Sequence, residues 1–150
     1  MFNYPMALAT DEPVEVVADV LADVLGVPRG GVLVVGALEA RVRTLDHPIT
    51  FEVYSEILGR PADMSVEFYV ENKTGDDAWR EAELRLATVA AELAVRLDAE
   101  ACLTFENDRV VMRRTGGGLV LFSWFPQWSE PAVRGALRGP VSVTDEAGRP

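Results

Sequence analysis

The strongest constraint on this chain is an apolar stripe between Asp76 and Leu97, where Trp79, Ala82, Leu86, Val89, Ala90, Leu93 and Leu97 recur three and four positions apart. That spacing predicts one long helix with a single face to bury. Asp76 or Asp77 can cap its start, and Glu81/Arg85 and Glu92/Arg96 pair at four-residue spacing on its outer side. The flanking sequence supplies what the buried face would cover. Thr50–Ile57 and Met64–Glu71 alternate with a period of two, which predicts neighbouring strands with Phe51, Val53, Ile57, Met64, Val66, Phe68 and Val70 turned inward. Their polar side would carry Glu52, Tyr54, Glu56, Glu67, Tyr69 and Glu71. Beyond the helix, Ala101–Phe105, Arg109–Thr115 and Leu119–Trp124 read as three short strands, joined by a tight turn at Asn107-Asp108 and by Gly116-Gly117-Gly118.

The remaining segments complete one domain. Val14, Val17, Ala18, Leu21, Val24 and Leu25 predict a helix over Asp11–Leu25, stopped by Gly26, with Glu15, Asp19 and Asp23 on its outer stripe and no cation within it to offset them. Gly30-Gly31 introduces a strand from Val32 to about Arg43. Thr44–Ile49 reads as a turn, and Ser129-Glu130-Pro131 opens a short helix to about Arg138. Residues 1–10 are expected as an N-terminal arm, 11–138 as the domain and 139–150 as a loose tail. The fold class is α+β, a single domain in the order α-βββ-α-βββ-α, with a twisted antiparallel sheet and the two main helices packed on one face. A chain of 150 residues can bury a core of that kind without a metal or disulfide.

Charge narrows the partners. The formal net charge is −10, and residues 1–77 hold 14 acidic and 5 basic side chains against 10 and 9 in residues 78–150. Phosphate backbones are repelled by such a surface, so nucleic acid is an unfavourable partner while a basic protein is a favourable one. Like charges facing one another across paired strands cost stability, so an acidic, tyrosine-bearing sheet face points to a surface kept for something cationic. The N-terminal residues lack the cation and apolar run of a signal peptide, and no stretch is long and apolar enough to span a bilayer; a cytoplasmic location is expected.

Little in the sequence spells out catalysis. Transition-metal sites need several His or Cys ligands, and the chain has one of each, His47 in the Thr44–Ile49 turn and Cys102 in an apolar strand, so neither a metal nor another cofactor is expected. The triple glycine lacks the Lys-Ser/Thr of a phosphate loop, and the oxygen-rich Glu71–Asp77 turn lacks EF-hand spacing. Glu52, Glu56, Glu67 and Glu71 could serve as paired general acid and base if they converged in a concave site, which keeps a small hydrolase as one alternative. Phe122-Ser123-Trp124-Phe125-Pro126-Gln127-Trp128 is rich in interface-type aromatics, and Trp128, beyond the proline, is the one expected at the surface.

The order of elements resembles two groups of bacterial proteins over residues 11–122. Leu93-Ala94-Val95-Arg96-Leu97 closing the core helix, followed by Leu103-Thr104-Phe105-Glu106 before a hairpin, is similar to the small α+β immunity proteins of polymorphic toxin systems. Helix, meander, long helix and further strands also resemble the type III secretion chaperone-like fold. The first resemblance implies a non-enzymatic domain that neutralises a basic toxin, with Glu52, Tyr54, Glu56, Glu67, Tyr69, Glu71, Glu15, Asp19, Asp23 and Trp128 as candidate partner-binding residues. The second implies a homodimer that holds an extended client segment.

Overall fold

The computed structural model describes residues 1–45 and 47–148. In chain order the elements are β1 (Phe2–Ala9), α1 (Val14–Leu25), β2 (Leu33–Val35), β3 (Leu38–Thr44), α2 (Pro48–Leu58), β4 (Met64–Val70), α3 (Asp76–Arg96), β5 (Glu100–Phe105), β6 (Arg109–Thr115), β7 (Gly118–Phe122), a 3₁₀ turn (Pro126–Ser129), α4 (Pro131–Ala136) and β8 (Val141–Thr144). One sheet runs β2-β3-β4-β1-β5-β6-β7-β8, antiparallel except for the parallel β7–β8 pair. The α+β class holds, with α1 and α3 together on one face. Leu86, Leu93, Ala90 and Val89 of α3 and Val17 and Leu21 of α1 pack with Phe68, Val66, Met6 and Leu8 of the sheet in one continuous core.

The first ten residues are the centre of the sheet rather than an arm. β1 pairs with β4 from Phe2↔Val70 to Leu8↔Met64 and with β5 from Met6↔Leu103 to Ala9↔Glu100. Tyr4, Met6 and Leu8 face α3, Ala7 and Ala9 face the other way, and all five are at most 3% exposed. A strand buried on both faces reads as an apolar run without alternation, so the period-two signal is missing. Pro5 also argues against a central strand. It has no N–H to donate and stands where pairing with β5 gives out, so the ladder loses little. Past it, the Glu106 N–H donates to the Asn3 carbonyl at 2.9 Å and the Asn3 N–H donates to Glu106 Oε1 at 2.8 Å.

Residues 48–58 form a helix, not the strand that alternation predicts. Pro48 occupies the first turn, and Gly59 closes the end in a left-handed conformation (φ +71°), its N–H bonded to the Ser55 carbonyl at 2.9 Å. Tyr54 and Leu58, four residues apart, are buried against Ala7, Ala9, Cys102 and Phe122 with Ile57 partly covered, a grouping only helical spacing can make. β3 and β4 are antiparallel neighbours, paired up to Thr44↔Met64, with Leu45 N–H donating to the Asp63 carbonyl at 3.1 Å. α2 therefore rides on an excursion from a β-hairpin that carries it to the face opposite α1 and α3. Asp46, within the expected Thr44–Ile49 turn, lies outside the described residues.

Two further boundaries differ from expectation. The stretch Val32–Arg43 is a hairpin, folded back at Gly36 (φ +57°) so that Val35 opposes Leu38. The segment after Gly139, expected to be loose, adds β8 to the β7 edge, and the Gly148 carbonyl accepts from the Val110 N–H. A side chain at Gly148 has no room, since a Cβ there would lie 2.6 Å from the Val110 carbonyl oxygen. Residues 149–150 of that tail lie outside the described residues.

Candidate functional site

The second face of the sheet is only partly covered. α2 shields β1 and β5, while the outer sides of β3 and β4 lie open beside it, and a cleft of about 450 Å³ runs between them, lined by Arg43, His47, Thr50, Tyr54, Glu67 and Asn107 among others. Tyr54, expected on a polar strand face, is instead 3% exposed on α2 and anchors that helix. Its hydroxyl lies 2.8 Å from Thr104 Oγ1 and donates to Asn107 Oδ1 at 2.7 Å. The β5–β6 turn holds Asn107 there: Glu106 and Asn107 both take positive φ (53° and 59°), the conformation of a tight hairpin turn one residue earlier than Asn107-Asp108.

The sheet face is not uniformly acidic. Arg41 stands directly opposite Glu67 and Arg43 opposite Ser65. Arg41 donates to the Tyr69 hydroxyl at 3.1 Å with its guanidinium 5.0 Å from the ring centre. Glu67 is half-buried and accepts from the Ser65 hydroxyl at 3.2 Å, while Glu71 accepts from the Lys73 N–H at 3.0 Å. Glu52 and Glu56 do not share this face at all; they project into solvent from α2. The four carboxylates weighed as an acid–base pair do not converge, since only Glu67 lines the cleft.

On α1, Glu15, Asp19 and Asp23 are exposed as predicted, but the helix is less isolated than its own sequence implies. Asp19 pairs with Arg29 at 3.1 Å and Asp23 with Arg96 of α3. Both cations come from outside the helix, which pattern reading along one segment misses. Trp128 is the plainest correction among the candidate residues: it is 2% exposed, donates its ring N–H to the Val111 carbonyl at 2.9 Å and packs edge-on against Phe125. Pro126 starts a 3₁₀ turn that folds the tryptophan back onto the core instead of leading it outward.

Cys102 is fully buried, and burial pushes its thiol up to about 12, far from a reactive thiolate. Ser65 directs its hydroxyl to the Glu67 carboxylate at 3.2 Å, and not to an imidazole. Among the described residues no group of three or more His, Cys, Asp or Glu side chains is placed to hold a metal ion. No helix there is long and apolar enough to cross a membrane.

The family of this domain is visible in the sequence. A family model described as SitI3-like matches residues 2–132. The chain belongs to the SitI3-like family. SitI families are immunity proteins of polymorphic toxin systems, in keeping with the immunity-protein resemblance; nothing in the match supports the chaperone-like one. The match takes in β1, α2 and the Trp128 turn, and stops before β8. Comparison with curated proteins and with solved structures gave no match.

Glu83 is a buried carboxylate of the helical face. It is 9% exposed on α3, accepts from the Tyr4 hydroxyl and from Gln127 Nε2 at 3.1 Å, and lines a cavity with Trp79 and Gln127. Burial raises its pKa above the ordinary 4.5, outweighing the Tyr4 hydrogen bond that lowers it. Because the folded state holds this proton more tightly than the unfolded one, Glu83 favours folding below the ordinary pKa and loses that contribution as pH rises through the raised value. Glu83→Gln should therefore melt progressively higher than wild type as pH goes from 4.5 to 7, by roughly 2–4 °C for each kcal/mol of charge burial relieved. Gln127 Oε1, buried without a partner, can turn to accept from the new amide. Melting curves of both proteins across that pH range check this; a constant gap would contradict it.

Proposed function

We propose that this protein is an immunity protein that inactivates a cognate toxin by holding it in a stoichiometric complex, and that the toxin presents a basic surface. The observation that carries this reading is the SitI3-like match over residues 2–132, nearly the whole of the folded domain. Charge supports the finer part. A protein of net charge −10, with Glu52 and Glu56 on α2 and Glu15 on α1 exposed and making no ion pair among the described residues, attracts a cationic partner and orients it on approach. Occupying a basic cleft that the toxin needs for its own substrate would be enough to silence it; no chemistry is required of the immunity protein.

The test is to mix the purified protein with each purified toxin domain encoded in the same genome and measure mass by light scattering during gel filtration at low and high salt. The expected result is a one-to-one complex with one of them, formed faster at low salt. A protein that stays uncomplexed with every such domain contradicts the reading, and a complex indifferent to salt contradicts the basic-partner part of it.

A further inference from the structure

We infer that the outer face of α2 is the docking surface, and that its occupant is an amphipathic helix of the partner with Lys or Arg flanking an apolar seam. The inference rests on the immunity reading for the identity of the partner and on the structure for the place. Ile49 and Val53 are 68% and 37% exposed, one helical turn apart on the side of α2 away from the sheet. Glu52 and Glu56 stand beside them with the same spacing. Residues 49, 52, 53 and 56 thus form one solvent-facing ridge, apolar along its line and acidic at its flank.

Among the described residues no cation pairs with that ridge. α2 contains no Lys or Arg, and among the described residues neither Glu52 nor Glu56 makes an ion pair. On α1, Asp19 and Asp23 are paired with Arg29 and Arg96, which leaves Glu15 of that stripe without an ion pair among the described residues, and Glu67 on β4 is half-buried opposite Arg41 in the strand register. α2 thus joins two unpaired carboxylates to two exposed apolar side chains, where the outer stripe of α1 keeps a single unpaired carboxylate, and this charge selects a cationic occupant. The apolar pair selects its shape, because side chains four apart on one helix form a ridge that seats in the groove of another, with opposite charges meeting along the edge. The helix can be spared for this task. Its other side is fixed by Tyr54 and Leu58, and the excursion that carries it leaves the β3–β4 ladder intact.

Two variants test the surface against its rival: Glu52→Lys/Glu56→Lys on α2 and Glu15→Lys/Asp19→Lys on α1, each checked for an unchanged melting temperature. With the toxin domain that complexes the wild type, calorimetry should show the α2 variant weakened by roughly 100-fold or more and the α1 variant by less than about 5-fold. Ile49→Ser/Val53→Ser should weaken binding by about 10-fold without changing its salt dependence. If the α2 variants bind as wild type does, the surface is elsewhere and this inference fails while the immunity reading stands. Should wild type bind no toxin domain, the immunity reading fails, and the surface is judged by titrating labelled protein with a synthetic Leu/Lys amphipathic helix. Shifts confined to the amides of α2 then support the docking face, and shifts elsewhere or none overturn it.

Discussion

A chain that begins after Ala9 is expected not to fold. β1 lies between β4 and β5, so its removal splits the sheet into two halves with no ladder between them. Burial of Met6 and Leu8 alone contributes roughly 1.5–3 kcal/mol each, and a domain of this kind has only about 5–15 kcal/mol in total. Circular dichroism on heating should show no cooperative transition for the truncated protein, in contrast to a sharp one for the intact chain. A cooperative melt within a few degrees of wild type would mean that the N-terminal residues are an appendage after all.

Trp128→Ala should be the most damaging single substitution near the C-terminal end of the family match. The change opens a large cavity beneath α3 and takes away the N–H that Val111 uses, for a cost of about 3–5 kcal/mol. Trp128→Phe keeps most of the packing with Phe125 and loses the hydrogen bond, so about 1–2 kcal/mol is expected. Urea unfolding of the three proteins gives these differences directly. A Trp128→Ala protein within about 0.5 kcal/mol of wild type would show that the side chain stands in solvent, as its position past Pro126 first suggests.

β1 and Trp128 both lie where the sequence is hard to read. α3 and β4 are readable because their large apolar side chains fall on one face, so the apolar period matches the element, and β5–β7 are readable as short apolar runs bounded by turn residues. β1 buries both faces and breaks its own signal with Pro5. α2 defeats the period because its exposed face carries Ile49 and Val53, so apolar and polar residues alternate along the chain as they would in a half-buried strand. A helix that is apolar toward solvent violates the usual pattern, which is the reason its outer face merits interest as a docking surface. The charge balance was legible in sum but not in place. Arg96 reaches Asp23 across 73 residues of sequence, and Arg41 meets Glu67 only because β3 and β4 pair. The immunity-protein resemblance agrees with the family match, while the chaperone-like one finds no support in it.

The function is tested most directly in living cells. Each toxin domain encoded in the same genome is expressed in turn in a susceptible host, with this protein supplied from a second inducible copy, and growth is followed. One toxin should arrest growth alone, and growth should return when this protein is present, less so with the Glu52→Lys/Glu56→Lys variant. Arrest by every toxin that no amount of wild-type protein relieves would contradict the immunity reading.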